Sequence, residues 1–162
     1  MDAYTPSFYA EKMNVSESEI YHLMEYSKKH NVDFPIVYGL LYTETGGTFE
    51  HRAVGPQTRY GKAYGIAQFM ENTAPWVASK AHLPYKDKKD LFDPVYSTKL
   101  AITYLHYLQY GDGAWSGYQN WHATLTAYNR GMEGLERYTK HNHSYVSSYS
   151  TKVLNISNEL KF

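Results

Sequence analysis

The sequence predicts a mainly α-helical fold, one domain with at most a small β-hairpin. Signals that start and stop helices recur from Ser16 to the C-terminus. A length of 162 residues is that of one domain, enough to enclose a hydrophobic core without disulfide or metal staples. No internal repeat or low-complexity linker divides the chain.

Residues 1–15 show no clear period and read as an aromatic-bearing N-terminal extension, the domain proper being 16–162. Ser16 and Glu19 form an S-x-x-E capping box ahead of Ile20, Leu23, Met24 and Ser27, so a helix begins there and ends near His30-Asn31. A second has Asp33 as N-cap and Pro35 in its first turn, runs through IVYGLLYTE and stops at Gly46-Gly47. Its apolar face is Ile36, Val37, Leu40 and Leu41. Residues 46–64, rich in Gly, Thr and Arg and containing Pro56, predict a loop with room for a short hairpin. From Ile66 to about Lys80 the pattern is helical again, with Pro75 either opening a new helix or kinking the existing one. Asp93-Pro94 caps and opens a helix with Val95, Leu100, Ile102, Leu105 and Leu108 on its apolar side, stopped by Gly111. GDGAWSG is a loop. Helices are expected over about Trp121–Tyr128, near 131–139 and near 145–160.

Composition excludes several functions. Sixteen acidic residues balance sixteen basic ones, so no global field draws the chain to nucleic acid or an anionic membrane. The absence of cysteine removes disulfides, thiol nucleophiles and cysteine-containing zinc sites. No apolar run of about 18 residues could insert in a membrane, and MDAYTPSFYAEKM lacks the basic start and apolar stretch of a secretory signal. Work outside a cytoplasm would make the chain an excised domain, a mature fragment, or a part delivered by a virion, secretion or lysis assembly. Eighteen tyrosines and three tryptophans suit a wet, amphipathic carbohydrate cleft, although filling core and surface accounts for most of them.

One carboxylate is out of place. Stepping back from Glu44 by helical turns reaches Leu40 and then Ile36 or Val37, so Glu44 projects from the face that its helix buries. It also lies in the last turn, at the negative end of the helix dipole. Burial and dipole both favour the protonated form, which is the form a glycosidase uses to protonate a leaving oxygen. Taken alone, the feature is better explained by a glutamate turned outward at a frayed end, or paired with a buried arginine.

Four short strings in order change that balance. The segment VDFPIVYGLLYTETGGTF, residues 32–49, resembles the catalytic helix of the soluble lytic transglycosylase (SLT) family, a branch of the lysozyme-like superfamily, with Glu44, Thr45 and Phe49 in the places of that family's Glu, Ser and Phe. Gly65-Ile66-Ala67-Gln68 stands for Gly-Leu-Met-Gln, and Ala127-Tyr128-Asn129-Arg130-Gly131 matches Ala-Tyr-Asn-x-Gly intact. Asp93-Pro94 with Leu100 and Tyr104-Leu105 resembles the family's Asp-Pro helix. The resemblance covers roughly residues 32–155 and implies a lysozyme-like fold acting on peptidoglycan glycan strands at the bacterial cell wall, in an extracellular, periplasmic or virion setting.

It also implies roles. Glu44 is the acid and then the base. Gln68 offers its amide to the sugar, with Gly65 allowing close backbone approach in a strand-to-helix turn. Tyr128 packs against or hydrogen-bonds the region of Glu44, Asn129 holds the cleft or a sugar substituent, and Tyr149 is the late tyrosine near the glutamate. Thr45 keeps the serine hydroxyl. Ala67 lacks the methionine side chain that lines the family's cleft, while Ser97 and Ala101 replace an Asn and a Gly.

No second carboxylate of the kind that ordinary glycosidases use is evident. Glu50 reads as an exposed loop residue, Glu71 as lying one turn into a helix, and Asp93 as a cap. A single glutamate suits cleavage of the MurNAc-GlcNAc β-1,4 bond with assistance from the substrate's 2-acetamido group, giving a 1,6-anhydro-MurNAc end. A muramidase of the same fold, or a non-catalytic wall-binding component of a virion or secretion apparatus, are the alternatives. His141 and His143 form a lone H-x-H that reads as solvated surface, so neither metal nor cofactor is expected. Trp115, Tyr118 and Trp121 either line a sugar groove or fill core.

Overall fold

The structure, a computed structural model, describes residues 5–160. Its helices are α1 (Pro6–Met13), α2 (Glu17–Lys29), α3 (Phe34–Thr45), α4 (Ala74–Lys80), α5 (Pro94–Tyr110), α6 (Trp121–Arg130), α7 (Met132–Asn142) and α8 (Ser148–Glu159), with a 3-10 turn over Lys88–Phe92. The strands β1 (Ala63–Tyr64) and β2 (Phe69–Met70) pair antiparallel, Tyr64 opposite Phe69. This is a mostly helical domain of lysozyme-like type with one small sheet among the described residues.

The helix signals act as the sequence requires. Ser16 accepts from the Glu19 amide while the Glu19 carboxylate accepts from the Ser16 amide, closing the capping box at α2. Asp93 accepts from the amides of Val95 and Tyr96 and starts α5. Asp33 stands at the N-cap of α3 with Pro35 in the first turn. Two expectations are corrected. Residues 1–4 of the supposed extension lie outside the described residues, but from Pro6 the segment is a helix that seats Tyr9 and Met13, one turn apart, in the core. Two turns are too short to display a period. Residues 66–70 are not helical either: they form the turn and second strand of the hairpin, so the helix begins only at Ala74 and Pro75 opens it. Gly65 and Gln68 both have left-handed backbone, at φ +83° and +53°, which breaks the apolar run Ile66, Ala67, Phe69 out of helical register. Glu71 consequently lies in the turn after β2, not inside a helix.

α3 is buried on every side from Phe34 to Leu41, rather than along one face. α8 packs along it at close range, because Gly39 presents no side chain: a Cβ there would stand 2.7 Å from the Val153 carbonyl oxygen. α5 supplies the largest part of the remaining core through Leu100, Ile102, Leu105 and Leu108. The hairpin closes against the 3-10 turn at Gly65, where a Cβ would meet the Leu91 carbonyl oxygen at 1.9 Å.

Candidate active site

The site forms where α3 ends. Gly46 takes the left-handed C-cap at φ +61° and Gly47 donates its amide to Tyr42 O at 2.8 Å, so the chain turns sharply one residue after Thr45. Thr45 serves that turn with its hydroxyl, which donates to Leu41 O at 2.8 Å and accepts from the Phe49 amide at 2.9 Å. Phe49 is thereby fixed with a left-handed backbone, its ring against Tyr38 and Tyr42.

Glu44 sits in this last turn, partly buried, and its partner is a tyrosine rather than an arginine. Tyr149, in the first turn of α8, donates its hydroxyl to Glu44 Oε2 at 2.6 Å. Burial pushes the Glu44 carboxyl from its ordinary 4.5 up to about 7, and the Tyr149 hydrogen bond pulls the other way. Burial, and then the nearby Glu44 charge, hold both Tyr149 and Tyr128 well above the usual tyrosine value, so the two phenols keep their protons. Because Tyr149 donates to Oε2, a proton on the neutral carboxyl belongs on Oε1.

Tyr128, near the end of α6, lies within electrostatic reach of Glu44 but donates its hydroxyl to Ala67 O at 2.8 Å. Its ring packs against Phe69 and Tyr104, at centroid distances of 5.8 and 5.5 Å. Position 67 thus contributes its backbone carbonyl, not a side chain, to the site. Gln68 uses its side-chain amide group internally, donating to Gly65 O at 2.9 Å and Ala53 O at 3.3 Å, and so ties the hairpin to the preceding loop. That loop forms a second small return: Gly55 and Gly65 donate to Ala63 O and Ala53 O, and Thr58 pairs with Gly61 at its tip. Asn129 is exposed at the end of α6. The fold therefore brings Glu44, Tyr149 and Tyr128 together, turns Thr45 and Gln68 to holding the surrounding backbone, and leaves Asn129 at the edge. Glu50 and Glu71 are both exposed, and Glu50 accepts from the Arg52 amide in its own loop.

Gly39 was not singled out from the sequence, yet it sets the distance between α3 and α8 and hence between Glu44 and Tyr149. A signal existed: a glycine inside an apolar helix costs about 1 kcal/mol against alanine, which calls for a close-packing reason.

No curated protein matches the chain. The family model described as the Transglycosylase SLT domain matches residues 21–149. That span holds the helix of Glu44, the hairpin of Gln68 and the α6 segment of Tyr128, and its last residue is Tyr149. With most of its length matched, the chain belongs to the SLT transglycosylase domain family of the lysozyme-like superfamily, whose activity is transglycosylase-type cleavage of peptidoglycan.

Proposed function

We propose that this chain is a peptidoglycan lytic transglycosylase that uses Glu44 as its single acid/base on the MurNAc-GlcNAc β-1,4 bond and leaves 1,6-anhydro-MurNAc ends. The observation that carries this is the Glu44 carboxyl itself, held near 7 by burial while hydrogen-bonded by Tyr149 at 2.6 Å. Such a group is protonated often enough at neutral pH to give its proton to the glycosidic oxygen, and its anion is stable enough to exist afterwards. Tyr149 donates to the carboxylate through that change, and its own high pKa prevents it from competing as the acid. The 2-acetamido group of the sugar assists departure of the leaving group. Glu44, now ionised, takes the proton of the 6-hydroxyl as that oxygen closes onto C1. Proximity favours this internal nucleophile over a water that no second carboxylate prepares, since Glu50 and Glu71 are both exposed in loops.

Tyr128, Gln68 and Thr45 act in this scheme by fixing the walls around Glu44, and Asn129 meets the glycan from the edge of the site. The reaction takes place at the bacterial cell wall, and no described helix is long and apolar enough to cross a membrane. Glu44→Gln keeps the shape of the side chain but removes the proton, so it should abolish release of soluble fragments from purified peptidoglycan at unchanged protein fold. Full activity in Glu44→Gln would overturn the assignment, and absence of release by the parent chain would favour a wall-binding role.

A further inference from the structure

A buried polar cluster behind the site fastens the first turn of α8, which carries Tyr149, to α6, which carries Tyr128. Ser147 and Ser150 cap each other, each amide donating to the other's hydroxyl oxygen at 3.0 Å. Thr126 donates to Tyr145 O at 2.8 Å and lies 2.8 Å from the Ser147 hydroxyl. His122, on α6, completes the cluster with a 2.7 Å hydrogen bond between Nδ1 and Ser150 Oγ. The Ser150 hydroxyl also lies 3.1 Å from Ser147 O, and the tautomer of His122 sets which group donates in the His122–Ser150 bond. Thr126 and Ser150 are fully buried, where a hydroxyl must be satisfied, whereas the His122 ring is half-buried and borders a surface cavity of about 510 Å³.

Ser150 directly follows Tyr149 in the chain. Among the described residues, its side chain is linked to the neighbouring helix through His122, since its other hydrogen bonds stay within the cap of α8. We propose that His122 is a positioning residue, which through Ser150 sets the first turn of α8 and so keeps the Tyr149 hydroxyl on Glu44. The inference rests on Glu44 being the acid/base. Removing His122 breaks the link from Ser150 to α6 and lets water in from the cavity; held to α6 then by the Thr126–Ser147 contact, the first turn of α8 can rotate by the fraction of an ångström that separates a hydrogen bond from a contact. The Tyr149 hydrogen bond is what opposes burial at Glu44, while Tyr128 is close enough for the Glu44 charge to raise its own ionisation, so loss of the Tyr149 bond leaves burial unopposed and moves Glu44 ionisation to higher pH.

The test is a carbon-13 NMR titration of Glu44 in the full chain, with kcat and KM on peptidoglycan measured alongside. His122→Ala should raise the Glu44 midpoint in the direction given by Tyr149→Phe and lower kcat by about tenfold with KM nearly constant. His122→Asn, whose amide can take the place of Nδ1, should restore both. His122→Ala combined with Tyr149→Phe should lose little beyond Tyr149→Phe alone. If His122→Ala does not fold, Ser150→Ala should give the same upward midpoint. An unchanged midpoint in the folded variant, or additive losses in the double variant, would overturn the proposal. A raised midpoint in a chain that never lyses peptidoglycan would instead sink the proposed activity and leave the His122 link standing.

Discussion

Replacing Glu44 by Gln removes an ionisation that the folded chain resists. The carboxyl titrates near 4.5 in the unfolded chain and near 7 in the folded one, so between those values only the unfolded chain gives up its proton. The folded state holds the proton more tightly, which means that the contribution of Glu44 to stability is greatest below pH 4.5, falls as pH rises toward 7 and levels off above it. At about 1.4 kcal/mol per pH unit, the interval corresponds to about 3 kcal/mol. The Glu44→Gln variant would escape this loss, and its side-chain carbonyl oxygen would still accept from Tyr149. Urea unfolding of the parent and of Glu44→Gln across pH 4 to 8 isolates the effect, because every other titrating group cancels in the difference. The variant should gain on the parent by about 3 kcal/mol over that range, or roughly 10 °C in Tm. A difference that stays constant with pH would refute the reasoning, since it would mean that Glu44 is as well solvated folded as unfolded.

Tyr149→Phe deletes the hydrogen bond that, among the described residues, favours the Glu44 anion. A bond to a charged group contributes about 1.5–3 kcal/mol, and part of it is retained by the neutral acid, so the Glu44 midpoint should rise by roughly one pH unit in an NMR titration. A fall, or no change, would contradict the 2.6 Å contact. Gly39→Ala gains about 1 kcal/mol in helix propensity but places a methyl 2.7 Å from the Val153 carbonyl, an overpacking that costs about 1–3 kcal/mol. Denaturant unfolding should show a net loss of about 1 kcal/mol and the activity should drop as α8 moves off α3; a net gain would show that α8 yields without cost.

The helices with chemical start signals were legible in the sequence: the Ser16–Glu19 box, Pro35 and Asp93-Pro94 mark α2, α3 and α5 to within a residue or two. α1 was not, because it is two turns long and its fully enclosed side chains are only Tyr9 and Met13, with Ala10 between them. The hairpin was misplaced because Ile66, Ala67 and Phe69 carry the same apolar spacing as a helix, and the left-handed backbone of Gln68 leaves no mark in residue type. Glu44 was visible as a carboxylate on an apolar face, and the Tyr128 segment as an intact string. The assembly around them was not, because it depends on contacts distant in sequence: Tyr149 lies 105 residues from Glu44, and Tyr128 reaches the backbone at Ala67 across 61. Gln68 illustrates the limit of reasoning from residue type, since an amide suited to a sugar is spent on two carbonyls of its own loop.

Mass spectrometry of peptidoglycan digested by the chain bears most directly on the single-carboxylate mechanism. If Glu44 serves as both acid and base, the glycan should end in 1,6-anhydro-MurNAc, about one water (~18 Da) lighter than the hydrolytic product, and Glu44→Gln should yield none of it. Reducing MurNAc ends in place of anhydro ends would show that a water is activated, and the search for a second carboxylate would begin with Glu50 and Glu71.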